Sequence, residues 1–180
     1  MNTTPRTHRR RTAVGAALVT VLAGAGLGLG APQATAADPV SVGYTCTGPG
    51  APSGVQSLQV TMTAPASVPQ GGNADLSISV VTQLTVPIDV AAGSVTGEMT
   101  VNLGGAGSGS VTATGFTNPD AIPSGSTATL TGGTATAQLT TTGTTTFAPG
   151  DAAVHVFGVT VNCTVSGDAP VAAQTDVTSS

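Results

Sequence analysis

Beyond about residue 40, hydrophobic and polar residues alternate with a period of two along most of the chain. Between residues 55 and 63, Leu58, Val60 and Met62 fall on one face and Gln59, Thr61 and Thr63 on the other, as in a strand buried on one side. Residues 76–86 repeat the pattern. There Leu76, Ile78, Val80, Leu84 and Val86 share a parity that only Thr82 interrupts, and Pro87 ends the run or marks an edge. Residues 41–47 place Tyr44 and Cys46 on one face. Residues 95–103 place Val95, Met99, Val101 and Leu103 inward and Glu98, Thr100 and Asn102 outward. The Thr-rich runs 111–116, 127–131 and 134–146 predict weaker strands, because Thr suits a pleated surface but carries little burial.

The last run, 154–165, changes phase. Val154 and Val156 have one parity, while Phe157, Val159, Val161, Cys163 and Val165 have the other, a switch that predicts a bulge near Phe157–Gly158. Between the runs lie turn signals: residues 69–73 (Pro-Gln-Gly-Gly-Asn), the Gly-rich stretch 104–109, Asn118-Pro119-Asp120 and Pro149-Gly150-Asp151. Roughly seven or eight short strands at this spacing predict an all-β fold, a single antiparallel two-sheet sandwich of immunoglobulin-like architecture, with a closed barrel as the alternative. The predicted domain covers 37–166, and 167–180 reads as a flexible C-terminal tail.

The first 36 residues have a different character. Arg6, Arg9, Arg10 and Arg11 precede an apolar, Gly-interrupted run from Ala13 to Gly30, followed by Ala34-Thr35-Ala36. A basic segment, an apolar segment and an A-x-A site predict a secretory signal peptide over 1–36, cleaved before Ala37. The glycines and the lack of a following basic cluster argue against a retained membrane anchor. The hydrophobic residues expected directly after a twin-arginine pair are mostly missing, so the general secretory route is expected. The predicted destination is extracellular, released or loosely associated with the cell wall.

That leader carries every Lys and Arg of the chain. Removing it takes the formal charge from −4 to −8, with eight carboxylates and no strong cation. Such a surface repels phosphate backbones, which excludes nucleic acid as a partner. About 144 residues remain, enough for one domain that buries roughly two-thirds of its unfolded surface.

Cys46 and Cys163 are the only cysteines. In an oxidising compartment they predict one disulfide, tying the first strand to the last. A metal pair lacks supporting His or Cys ligands; an intermolecular bridge is the other alternative. Closing a loop of about 118 residues would stabilise the fold by roughly 4 to 5 kcal/mol in the chain-entropy model. The spacing differs from an immunoglobulin inter-sheet bridge, which joins two mid-domain strands.

Candidate chemistry is sparse. His155 is the only imidazole beyond the leader, four residues after Asp151, so an Asp–His pair with a serine nucleophile is conceivable. No G-x-S-x-G elbow occurs to complete it. Asp89 and Glu98, or Asp120 and Asp151, could form carboxylate pairs for glycoside hydrolysis. Their placement in turns fits turn chemistry better. Tyr44, Phe116, Phe147 and Phe157 are the only aromatics, too few for a sugar-binding platform. The D-x-[DN]-x-[DN]-G calcium loop is absent. No catalytic residue, cofactor or metal ligand is assigned.

Gly43-Tyr44-Thr45-Cys46-Thr47, Val161-Asn162-Cys163-Thr164 and the Thr/Val strands between them resemble a group of secreted actinobacterial β-sandwich proteins of unknown function. The resemblance implies fold and export and transfers no catalytic residue. In a general way the chain is also similar to the acidic apoproteins that carry enediyne chromophores. Those proteins have two disulfides and an aromatic-lined cleft, which this chain does not match. The expected function is a secreted, non-enzymatic structural or interaction module with an unknown extracellular or cell-surface partner. A small-molecule carrier with an inter-sheet cleft is the second reading, and a secreted hydrolase the third.

Overall fold

Period-two alternation produces strands throughout the computed structural model, which describes Thr35, Ala36 and residues 38–180. Apart from Thr35 and Ala36, the leader predicted over 1–36 lies outside the described residues. Among the described residues there are eleven strands: β1 (Thr35–Ala36), β2 (Val40–Thr47), β3 (Val55–Ala64), β4 (Ser67–Pro69), β5 (Asn73–Thr85), β6 (Val95–Gly105), β7 (Ser110–Thr117), β8 (Thr127–Gln138), β9 (Gly143–Val156), β10 (Val159–Val165) and β11 (Ala173–Thr178). No helix among the described residues is long and apolar enough to cross a membrane.

The all-β expectation holds, but a two-sheet immunoglobulin-like sandwich is not what forms. One hydrogen-bonded path runs β10–β2–β3–β5–β8–β7–β6–β9, and β9 pairs again with β10. Eight antiparallel strands therefore close into a ring. The cause lies in β9, long enough to take β6 along one edge and two partners along the other. Its first half pairs with β11 (Phe147 opposite Ala173) and its second half with β10 (Ala152 opposite Cys163). β11 also pairs with β4 in parallel, so the sheet is mixed at that margin.

Three local expectations change with it. Phe157 and Gly158 form a tight turn between β9 and β10, with φ of 51° and 78°. Two successive left-handed residues match a type I′ hairpin, and reversal of the chain produces the parity switch read as a bulge. Residues 127–138 and 143–156 are two long strands, so the break falls after Gln138 rather than around Gly132. The segment expected as a flexible tail, 167–180, carries β11, whose Ala173, Thr175 and Val177 are buried. Small alternating residues there suffice for pairing even though they give a weak hydrophobic signal.

Cys46 and Cys163 are directly opposite one another on β2 and β10 and form a disulfide with an S–S distance of 2.06 Å. The bridge thus reinforces the β2–β10 pairing, one of the eight pairings of the ring. Because β11 follows, it does not join the first strand to the last.

The core is rich in Val and Ala, with Tyr44, Phe147, Met62 and Ile78 as its largest fully buried side chains. Phe116 lies against Gly133, where an added Cβ would come within 2.3 Å of the ring. Only hydrogen fits at that position. Buried Asn118 is fully satisfied: its Oδ1 accepts from Val95 N at 2.8 Å, and its Nδ2 donates to the Ala91 and Asp120 carbonyls at 2.8 and 2.9 Å. It clips together the two long connections at the β6 start.

Candidate functional site

Pro149-Gly150-Asp151, read from sequence as a turn, is a bulge inside β9. Met99 is opposite Ala152 and Val101 opposite Pro149, so Gly150 and Asp151 together face the single residue Thr100. Proline has no N–H to give to a ladder and is tolerated at such irregularities. The extra residue lets the outer face sink. Two concavities of about 300 and 270 Å³ share Thr100 and Asp151 there. They form a trough bordered by Glu98 and Asn102 of β6, Asn162 of β10 and Asp168 just beyond it. A Cβ at Gly150 would approach Asn102 Nδ2 to 2.9 Å, so glycine keeps the floor low.

Below the bulge, the Tyr44 hydroxyl donates to the Gly150 carbonyl at 2.8 Å. Burial pushes the Tyr44 phenol well above the usual tyrosine range, and the nearby Asp151 charge adds to the rise. The phenol stays protonated, as its role as a buried donor requires.

The sequence-predicted Asp151–His155 pair is engaged elsewhere. Asp151 Oδ1 accepts from Val165 N at 3.0 Å, holding β10 against the bulge. His155 Nδ1 contacts Thr160 Oγ1 at 2.9 Å, across the β9–β10 hairpin. Asp89 Oδ1 accepts from Ser124 N at 2.7 Å, a bond between the β5–β6 and β7–β8 connections rather than within one turn. Glu98 faces the trough, and Asp120 sits in the loop that Asn118 clips. Asp75 and Asp176 accept from Thr136 and Thr144, each at 2.7 Å. Among the described residues, no three His, Cys, Asp or Glu side chains gather to hold a metal ion.

Inside the ring, a small apolar cavity of about 50 Å³ is lined by Leu58, Val80, Met99, Phe116, Leu130 and Val154, among others. The trough residues Thr100, Asn102, Asn162 and Asp168 were not singled out in the sequence. The outward parity of Thr100 and Asn102 was visible there, but the trough depends on the β9 bulge, which the Pro-Gly pair disguised as a turn. Asp168 lay in the expected tail.

No protein-family model, no curated protein and no solved structure matches this chain.

Proposed function

We propose that the protein is an exported, non-enzymatic β-domain acting as an extracellular interaction or structural module, with the outer trough as its recognition face. The observation that supports this best is the bulged trough itself, since its two parts approach the volume range of ligand sites. The basic and apolar leader pattern supports export, and the Cys46–Cys163 bridge is compatible with an oxidising compartment. Hydroxyls, amides and the carboxylates of Glu98, Asp151 and Asp168 border the trough, and residues 38–180 contain no Lys or Arg. Charge complementarity therefore favours a basic partner segment.

The carrier reading rests on the apolar cavity. Its volume of about 50 Å³ is well below the several hundred Å³ of typical small-molecule sites. The hydrolase reading is weakened because Asp151 and His155 are each bonded to a structural partner.

The test is a titration of ¹⁵N-labelled protein with an oligolysine peptide at low ionic strength. The expected amide shifts concentrate at Thr100, Asn102, Asn162 and Asp168, and weaken in the Glu98→Gln, Asp168→Asn double variant. Shifts spread over all the acidic positions, or no shifts, would reject the trough as the recognition face.

A further inference from the structure

A second small cavity, of about 60 Å³, lies between the β6–β7 turn and the β8–β9 turn. Leu139 and Thr145 form its buried part, and the exposed residues Ser108, Gln138, Thr140 and Thr141 form a polar mouth that opens to solvent. Thr145 is only 1% exposed, yet its Oγ1 has no hydrogen-bond partner in the protein. Its register leaves it no choice of direction. Thr145 is inward on β9, opposite Gly105 of β6 and Thr175 of β11, and Thr175 already donates to the Pro65 carbonyl at 2.8 Å. Gly107 closes over Thr145, since a Cβ there would lie 2.5 Å from Thr145 Cγ2 and 3.1 Å from Oγ1.

Buried hydroxyls are costly to leave unpaired and are normally satisfied by protein or by ordered water. A polar cavity holds water when each molecule has about 10–15 Å³ of accessible volume and two to four polar partners. This cavity meets both conditions, with room for about four molecules on that scale. A cation is disfavoured because no carboxylate lines the cavity to offset its charge.

We infer that the cavity is a partly enclosed hydration site, in which a small cluster of water molecules bonds Thr145 Oγ1 and ties the β6–β7 turn to the β8–β9 turn. The water replaces the side-chain partner that the packing of Gly107 and the register of β11 deny to Thr145. The site therefore belongs to the architecture of the ring and is separate from the outer trough.

The experiment combines water-to-amide NMR cross-relaxation on the oxidised protein with thermal melts of Thr145→Val. Long-lived water contacts are expected at the amides of Gly107, Thr141 and Thr145. Thr145→Val, which keeps the shape but removes the hydroxyl, should melt a few degrees lower. If the hydroxyl is simply orphaned, the same substitution relieves its penalty and the midpoint rises. A raised or unchanged midpoint, or wild-type protein without those water contacts, would overturn the inference. The wild-type spectrum decides the matter if the variant does not fold.

Discussion

The two ends of the ring contain cavities of nearly equal size and opposite chemistry. Toward the end with the Phe157–Gly158 turn, about 50 Å³ is lined by Leu58, Val80, Phe116, Leu130 and Val154. At the end with the β8–β9 turn, about 60 Å³ is bordered by Ser108, Gln138, Thr140 and Thr145. Both arise from the same alternation of inward and outward residues. The difference is what occupies the inward positions. A branched aliphatic there makes a void with no polar partner, while Thr145 makes one that calls for water. A chain that uses Thr as its main strand former puts a hydroxyl inside wherever register turns one inward.

The largest expected effect concerns the ring that both ends share. The double variant Cys46→Ala, Cys163→Ala should lose about 5 kcal/mol in denaturant melts, because the bridge spans 117 residues of sequence. Both ends should lose stability together. Independent unfolding of one end would show that the ring is not a single cooperative unit.

Next in size is a probe confined to the apolar end. Gly133→Ala forces a methyl against the Phe116 ring and should cost about 2 kcal/mol, within the usual range for overpacking. A much smaller loss would show that the ring moves easily into the neighbouring cavity.

Tyr44→Phe leaves the Gly150 carbonyl without its donor and should cost about 1 kcal/mol at neutral pH. It also has an alkaline signature. The folded pKa of Tyr44 is raised, so above the ordinary tyrosine pKa of about 10 the unfolded chain loses a proton that the folded chain keeps. Stability from this group is intact below that pH and declines as pH rises beyond it. The phenylalanine variant should show a shallower alkaline decline. Tyr44 is the only tyrosine and there is no tryptophan, so tyrosinate absorbance reports this group alone. Titration near the ordinary pKa in folded protein would contradict its burial.

The smallest expected effect is that of salt. Residues 38–180 carry eight carboxylates without a Lys or Arg, so added sodium chloride should raise the melting midpoint slightly by screening repulsion, worth about 1 kcal/mol or less. A midpoint that falls with sodium chloride would show that attractive charge pairs outweigh repulsion.

Much of the fold was legible where alternation was strong. The runs around Leu76–Val80 and Leu58–Met62 became β5 and β3, with Leu76, Ile78, Val80, Val60 and Met62 buried and Leu58 partly buried. The Cys46–Cys163 pairing was legible from the number and context of the thiols. Ring closure was present only as the alternative to a sandwich, because alternation fixes which face of a strand is buried and says nothing about which edge meets which. Phe157–Gly158 shows the same limit. A two-residue hairpin and a bulge both shift parity, and only the pairing of Val156 with Val159 separates them. The trough was hidden because a Pro-Gly pair signals a turn and a bulge alike. Asp168 and β11 were missed because the Ala, Thr and Gln near the end of the chain carry little hydrophobic signal.

The opposite character of the two ends is tested most directly by methyl-labelled NMR spectra recorded under xenon pressure. Xenon enters apolar voids, so saturable shifts are expected at Leu58, Val80, Leu130 and Val154, with Leu103, Leu139 and Thr145 unmoved. Equal shifts at both ends, or shifts at Leu139 and Thr145 alone, would contradict the assignment of one apolar and one hydrated end.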